Sequence, residues 1–189
     1  MNKTPKAITI LIADDDADDR LMIKEAFESS KLNNRIDFVE DGEQLLAYLR
    51  REGEFGKLEG EARPGLILLD LNMPKMDGRE ALRELKADPE LQYIPVVVLT
   101  TSEAEEDIVR TYGLGVNSFI TKPVTFDELV KVVKVLCNYW IEIVALPPEC
   151  NGQMAFRSDG IALLLSESRL SKGSDQDPPL PPKGQLSRI

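Results

Sequence analysis

The sequence predicts an α/β fold, a doubly wound parallel sheet with helices on both faces. Two patterns carry that expectation. Short apolar runs alternate five times with amphipathic helical stripes over about 140 residues, and such βα repetition closes into an open parallel sheet. The runs are also followed, one after another, by acids, hydroxyls and a lysine. In open α/β sheets ligands bind beyond the carboxyl ends of the strands.

The strand candidates are Ala7 to Ala13, Ile36 to Val39, Leu66 to Leu69, Ile94 to Leu99 and Asn117 to Ile120. Three of them are almost continuously apolar, as strands buried on both faces must be. The first helical stripe is Met22, Ile23, Ala26 and Phe27. The second is Leu45, Leu46 and Leu49, and the third Ala81, Leu82 and Leu85. Ile108, Val109 and Tyr112 form a short fourth. Phe126, Leu129, Val130, Val133, Leu136, Cys137 and Trp140 form a long fifth. Asp77 and Thr125 read as helix N-caps and Gly113 as a C-cap.

Composition changes near Leu146. Residues 146–189 hold six of the 12 prolines, and their five positive charges cancel five negative ones, so the net charge of -10 belongs to residues 1–145. The expected division is a domain at 1–145 and a proline-containing, largely disordered tail at 146–189. Within that tail Ile161 to Leu165 is an apolar patch expected to form a transient short helix or to dock elsewhere on the protein. An acidic domain without a basic stripe argues against nucleic acid as a partner. The chain has no histidine, which excludes histidine bases, histidine metal ligands and a phosphohistidine of its own. Two cysteines, Cys137 and Cys150, are too few for a disulfide framework or a zinc cluster. The apolar run after Lys3 and Lys6 meets Asp14 to Asp16 at once, and no run approaches the ~18 apolar residues of a membrane helix. The expected location is therefore the cytoplasm.

The strand ends carry the chemistry. Asp14-Asp15-Asp16 follows the first strand, Asp70 the third, Thr100-Thr101-Ser102 the fourth and Thr121-Lys122-Pro123 the fifth. Asp16 and Asp18 begin the first helix, where acids are favoured for capping alone. The others are harder to dismiss. Two carboxylates ~5 Å apart repel by roughly 3 kcal/mol at an effective dielectric of about 20, so three in one cleft call for a cation. Hard oxygen ligands favour magnesium. A cation on carboxylates beside a lysine makes a receptor for a phosphoryl group, and an aspartate can be the nucleophile.

These motifs resemble the receiver domain of two-component response regulators. They are Leu11-Ile12-Ala13-Asp14-Asp15-Asp16, Leu68 to Gly78, Val98-Leu99-Thr100-Thr101-Ser102 and Phe119-Ile120-Thr121-Lys122-Pro123. The likeness spans roughly residues 6–143. The insertion Arg51 to Pro64, the phrase Gly115 to Val124 and the ending Tyr139 to Val144 are similar to the subgroup paired with bacterial phytochromes. The resemblance implies a CheY-like strand order, 2-1-3-4-5. It implies Asp70 as phosphoacceptor, with Mg2+ held by Asp14, Asp15, Asp70 and the backbone carbonyl of Asn72. It implies that Lys122 and Thr100 bind the phosphoryl group, that Phe119 moves with Thr100, and that the Lys122–Pro123 peptide is cis. The implied partner is a sensor histidine kinase, and the chain is then a phosphoacceptor rather than an enzyme with turnover.

An aspartate-nucleophile phosphatase of the haloacid dehalogenase type is the alternative. It needs Asp-x-Asp at the nucleophile, whereas Asp70-Leu71-Asn72 offers Asn at the second acid. A degenerate receiver that binds partners without phosphorylation is opposed by the intact Asp14, Asp15, Asp70, Thr100 and Lys122. The tail is too short and too poor in basic residues for a DNA-binding output domain. The fifth helix carries more apolar residues than one buried stripe needs, Val130, Val132, Val135, Tyr139, Ile141 and Ile143 among them. That surplus predicts a homodimer through the helix 4, strand 5, helix 5 face. The competing expectation is that Ile141 to Leu146 fold back on the domain.

Overall fold

A computed structural model describes residues 8–30, 34–102, 104–144, 146, 154–156 and 162–164. Five strands form one parallel sheet: β1 (Thr9–Ala13), β2 (Arg35–Val39), β3 (Leu66–Leu69), β4 (Val96–Thr100) and β5 (Ser118–Thr121). Their order is β2-β1-β3-β4-β5, the order that the resemblance to receiver domains implies. Five helices connect them or follow: α1 (Ala17–Ser29), α2 (Gly42–Arg50), α3 (Gly78–Ala87), α4 (Glu105–Gly113) and α5 (Phe126–Cys137).

Alternate strand residues feed two cores. Leu11, Ala13, Ile67, Leu69, Val96 and Val98 pack with Leu45, Leu49, Leu82 and Leu85 on one face. Ile10, Ile12, Leu66, Leu68, Val97 and Leu99 pack with Ile23, Phe27, Leu129 and Val133 on the other. β3 and β4 are buried at every position, which is why their sequences are apolar without alternation.

The helix starts are chemical. Asp16 caps α1 by accepting from the N–H groups of Asp18 and Asp19. Asp41 caps α2, Asp77 caps α3 and Thr125 caps α5 in the same way. Two details differ from the expectation. α4 ends by passing through Leu114 in right-handed geometry, and the left-handed residue is Gly115 at φ 91°, not Gly113. The buried residue of α4 is Thr111, while Val109 and Tyr112 face solvent. Thr111 tolerates burial because its hydroxyl donates to the carbonyls of Asp107 and Ile108.

α5 ends at Cys137 and gives way to a π-helical turn, Asn138–Ile143. Trp140 is buried, and Ile141, Val144 and Leu146 pack against the second core. The chain after α5 therefore folds back, and much of the apolar surplus is spent inside the domain. Val135, Tyr139 and Ile143 remain exposed.

The chain divides into two compact units, Met1–Gly152 and Gln153–Ile189. In the second, β6 (Met154–Phe156) and β7 (Ala162–Leu164) pair antiparallel, with Ala155 opposite Leu163. Of the apolar patch 161–165 only residues 162–164 are described, and they are strand rather than the expected transient helix. Five residues are too few to sustain a helical turn without packing, whereas a two-strand ladder pairs backbone groups directly. Most of the expected tail lies outside the described residues. No described helix is long and apolar enough to cross a membrane.

Candidate functional site: an acidic rim closed by a lysine

The sheet register brings the site together. Ala13 aligns with Leu69, and Thr100 with Thr121. Beyond these pairs the backbone keeps bonding to the neighbouring strand. Asp14 N–H donates to Val39 (3.0 Å), Asp70 N–H to Ala13 (2.9 Å) and Lys122 N–H to Thr100 (2.7 Å). Each functional residue is thus the first position past its strand and is still fixed by it.

Asp14 and Asp70 are buried and Asp15 is exposed. Their carboxylate oxygens lie within 4.8 Å of one another. Asp14 Oδ1 accepts from the Asp16 N–H (3.1 Å), and Asp70 Oδ1 from the Asn72 N–H (3.2 Å). These short turns aim the second oxygen of each acid into the rim. There the Lys122 ammonium meets Asp14 Oδ2 at 2.7 Å, Asp70 Oδ2 at 2.8 Å and Asp19 Oδ2 at 2.7 Å. Burial pushes the Asp14 carboxyl up to about 6, against the lowering effect of the Lys122 bond. Burial also works against the Lys122 charge, but its three carboxylate partners outweigh it and hold its pKa above the ordinary value.

Thr100 is fully buried, and its Oγ1 accepts from the Ser102 N–H at 3.3 Å. Phe119 is half-buried against the first core, opposite Val98. The structure therefore places Asp14, Asp15, Asp70 and Lys122 in one constellation, with Asn72 bonded to Asp70 and Thr100 at the neighbouring strand end. The expected cis peptide is a correction: among the described residues no peptide bond is cis, so Lys122–Pro123 is trans. Trans is favoured by about 0.5–1 kcal/mol even before proline, and Lys122 reaches both acids from it.

Three neighbours escaped the sequence reading. Asp19, in the first turn of α1, is the third partner of Lys122. Its signal was its place one helical turn past Asp15, on a helix that packs beside α5. Arg79 at the start of α3 grips Asp107 of α4 with both arms, Nε to Oδ1 at 2.7 Å and Nη2 to Oδ2 at 2.5 Å. Ser102 donates to the same Asp107 at 2.7 Å. Lys75, in left-handed backbone at φ 61°, reaches the buried Asp41 at 2.7 Å and ties the loop after Asp70 to α2. Such pairs join distant segments and leave no periodic trace.

The donor set suits a hard divalent cation: three carboxylates, no sulfur and no imidazole. With the cation go a lysine and a strand-end carboxylate, the parts that phosphoryl chemistry requires.

This fold and rim define a five-stranded α/β domain of receiver type, with an acidic cation site at its strand ends. The family model for the response regulator receiver domain matches residues 10–134, and the chain belongs to that family. It is similar to response regulator Rcp1 of Synechocystis sp., 43% identical over 143 residues, covering 76% of this chain and 95% of that protein. A crystal structure of the phosphorylated cyanobacterial phytochrome response regulator RcpA is 43% identical at TM-score 0.70, covering 76% of this chain and all of that one. The Mn(2+)-bound form of Rcp1 is 41% identical at TM-score 0.68, covering 75% and 99%. The chain is a response regulator, and the phosphatase alternative falls with the family match.

Proposed function

We propose that this response regulator accepts a phosphoryl group on Asp70 from a phosphohistidine of a sensor histidine kinase. The observation that carries the reading is the Lys122 ammonium 2.8 Å from Asp70 Oδ2 at the rim of the acidic triad. Asp70 Oδ attacks phosphorus, the phosphorus–nitrogen bond to the donor imidazole breaks, and an acyl phosphate forms. Asp14, Asp15, Asp70 and the Asn72 carbonyl would hold Mg2+, which when bound would supply charge neutralisation for the phosphoryl oxygens. Lys122 pairs with one of those oxygens. The Thr100 hydroxyl turns from Ser102 to the phosphoryl group, and Phe119 moves with it, shifting two pre-existing states of the α4, β5, α5 face. The protein is then a phosphoacceptor and not a turnover enzyme.

The paired kinase in this reading is a bacterial phytochrome, supported by the likeness to RcpA and Rcp1. Residues 1–145 act as the receiver and 146–189 as a tail, in the cytoplasm, with proteins rather than nucleic acid as partners. Self-association through α4, β5 and α5 is supported by exposed Val109 and Tyr112 on α4, Val135 on α5 and Tyr139 in the turn that follows α5.

Acetyl phosphate with Mg2+ should add one phosphoryl group to the wild type and none to Asp70→Asn. Equal labelling of the two would overturn the assignment.

A further inference from the structure

The Lys122 ammonium stands 2.7 Å from Asp14 Oδ2, 2.8 Å from Asp70 Oδ2 and 2.7 Å from Asp19 Oδ2. The first two belong to the carboxylate triad and Asp19 lies outside it. A divalent cation on the triad competes with Lys122 for Asp14 and Asp70. The Lys122 side chain is only 8% exposed, and a buried ammonium stripped of its partners is costly. Asp19 is the one partner that the cation does not claim.

We infer that Asp19 is a positioning residue for Lys122, holding the ammonium at the rim while a divalent cation takes Asp14 and Asp70. This rests on the proposed metal site and goes beyond it. The placement of Asp19 favours the role. Its N–H is bonded to the Asp16 cap at 3.3 Å, so its backbone is set. It sits in the first turn of α1, where the exposed amide ends of the helix favour a carboxylate. Its side chain is 25% exposed, against 2% for Asp14 and 7% for Asp70. α1 packs directly beside α5, which leads from Lys122 through Pro123 and Val124. Without Asp19 the ammonium would bind Asp14 and Asp70 alone and oppose the cation.

A generic loss of negative charge would also weaken cation binding, so the test separates field from position. Calorimetric titration with Mg2+ is made on the full chain as wild type, Asp19→Asn, Asp19→Glu, Asp18→Asn, Lys122→Met and the Asp19→Asn/Lys122→Met double variant. Asp18 is an exposed acid of the same turn. Asp19→Asn should raise the Mg2+ Kd about fivefold, a size typical of coupled neighbours in one ion network. Asp18→Asn should change it less than about twofold, and Asp19→Glu should restore most of the loss. In the Lys122→Met background the Asp19→Asn effect should vanish.

An effect equal to that of Asp18→Asn, or one undiminished in the Lys122→Met background, would overturn the inference. A second readout does not require Lys122→Met to fold. At saturating Mg2+, acylation of Lys122 by acetic anhydride, followed by peptide mass spectrometry, should rise about fivefold in Asp19→Asn. No rise would overturn it. Absent Mg2+ binding by the wild type would overturn this inference and the metal assignment together. Intact coupling without phosphoryl labelling would overturn only the phosphoacceptor reading.

Discussion

Gly78 lies against the backbone of Asp70 so closely that a Cβ on it would stand 2.0 Å from the Asp70 carbonyl oxygen and 2.8 Å from the Leu71 Cα. The Gly78 N–H also donates to the Leu71 carbonyl at 3.0 Å. The start of α3 is thereby pressed onto the end of β3, and the loop between them has one path. Glycine is required here by close approach, not by backbone angle.

Gly78→Ala should therefore push α3 away from the strand end. Overpacking of this kind costs typically about 1–3 kcal/mol, readable as a lower urea midpoint. The Asp70 carboxylate should shift as well, so metal affinity should fall with stability. An unchanged midpoint would show that the loop yields freely and that the contact does not position Asp70.

The Arg79–Asp107 pair fastens α4 to α3, and Ser102 joins it from the loop after β4. Asp107→Asn should cost about 1–2 kcal/mol, because charge-assisted forked bonds exceed ordinary ones. The Arg79 bonds hold the Asp107 carboxyl down to about 2, against its burial, with help from Ser102. A folded-state pKa below the unfolded value gives stability that is complete above the unfolded pKa and lost as pH falls through the folded one. The window runs from the model-peptide value of 3.8 down to about 2. Acid unfolding of Asp107→Asn should be shallower than wild type across that window. Parallel curves would argue that the pair adds nothing.

Asp14 works in the opposite sense. Burial raises its carboxyl from 3.8 to about 6, so the folded metal-free protein binds more protons than the unfolded chain between those values. Its stability should fall as pH rises from 3.8 to about 6. A proton on Asp14 also competes with a cation, so Mg2+ or Mn2+ affinity should weaken progressively below about pH 6. Affinity that is flat from pH 7 to pH 5, checked by calorimetry, would remove Asp14 from the ligand set.

Self-association has to be probed at residues that the fold does not itself need. Trp140 is 7% exposed and Val133 fully buried. Trp140→Ala should cost about 3–5 kcal/mol through a cavity, whatever the oligomeric state. Val135 is 68% exposed on the same helix. Val135→Glu should leave the melting curve within about 0.5 kcal/mol of wild type and dissociate a dimer in light scattering at micromolar concentration. A wild-type monomer, phosphorylated or not, would exclude the dimer.

The amino-acid pattern by itself determined the five βα units, the buried faces of most helices, the N-caps at Asp16, Asp77 and Thr125, and the acids and lysine at the strand ends. Each of these is written locally. Apolar runs and stripes encode burial along an element, and a cap is read within three or four residues. Tertiary structure decided the rest. It set the roll of α4, which buries Thr111 and exposes Val109 and Tyr112, because Asp107 must meet Arg79 and Ser102 from two other segments. It folded Ile141, Val144 and Leu146 back onto the second core, where an apolar residue beyond a helix end can find either the domain or a partner. It also gave Lys122, at the end of β5, a third carboxylate from α1, a pairing across 103 positions. Periodicity records which face of an element is buried, but not which side chains from two elements arrive at the same point. That depends on strand register and helix packing, and these exist only once the chain is folded.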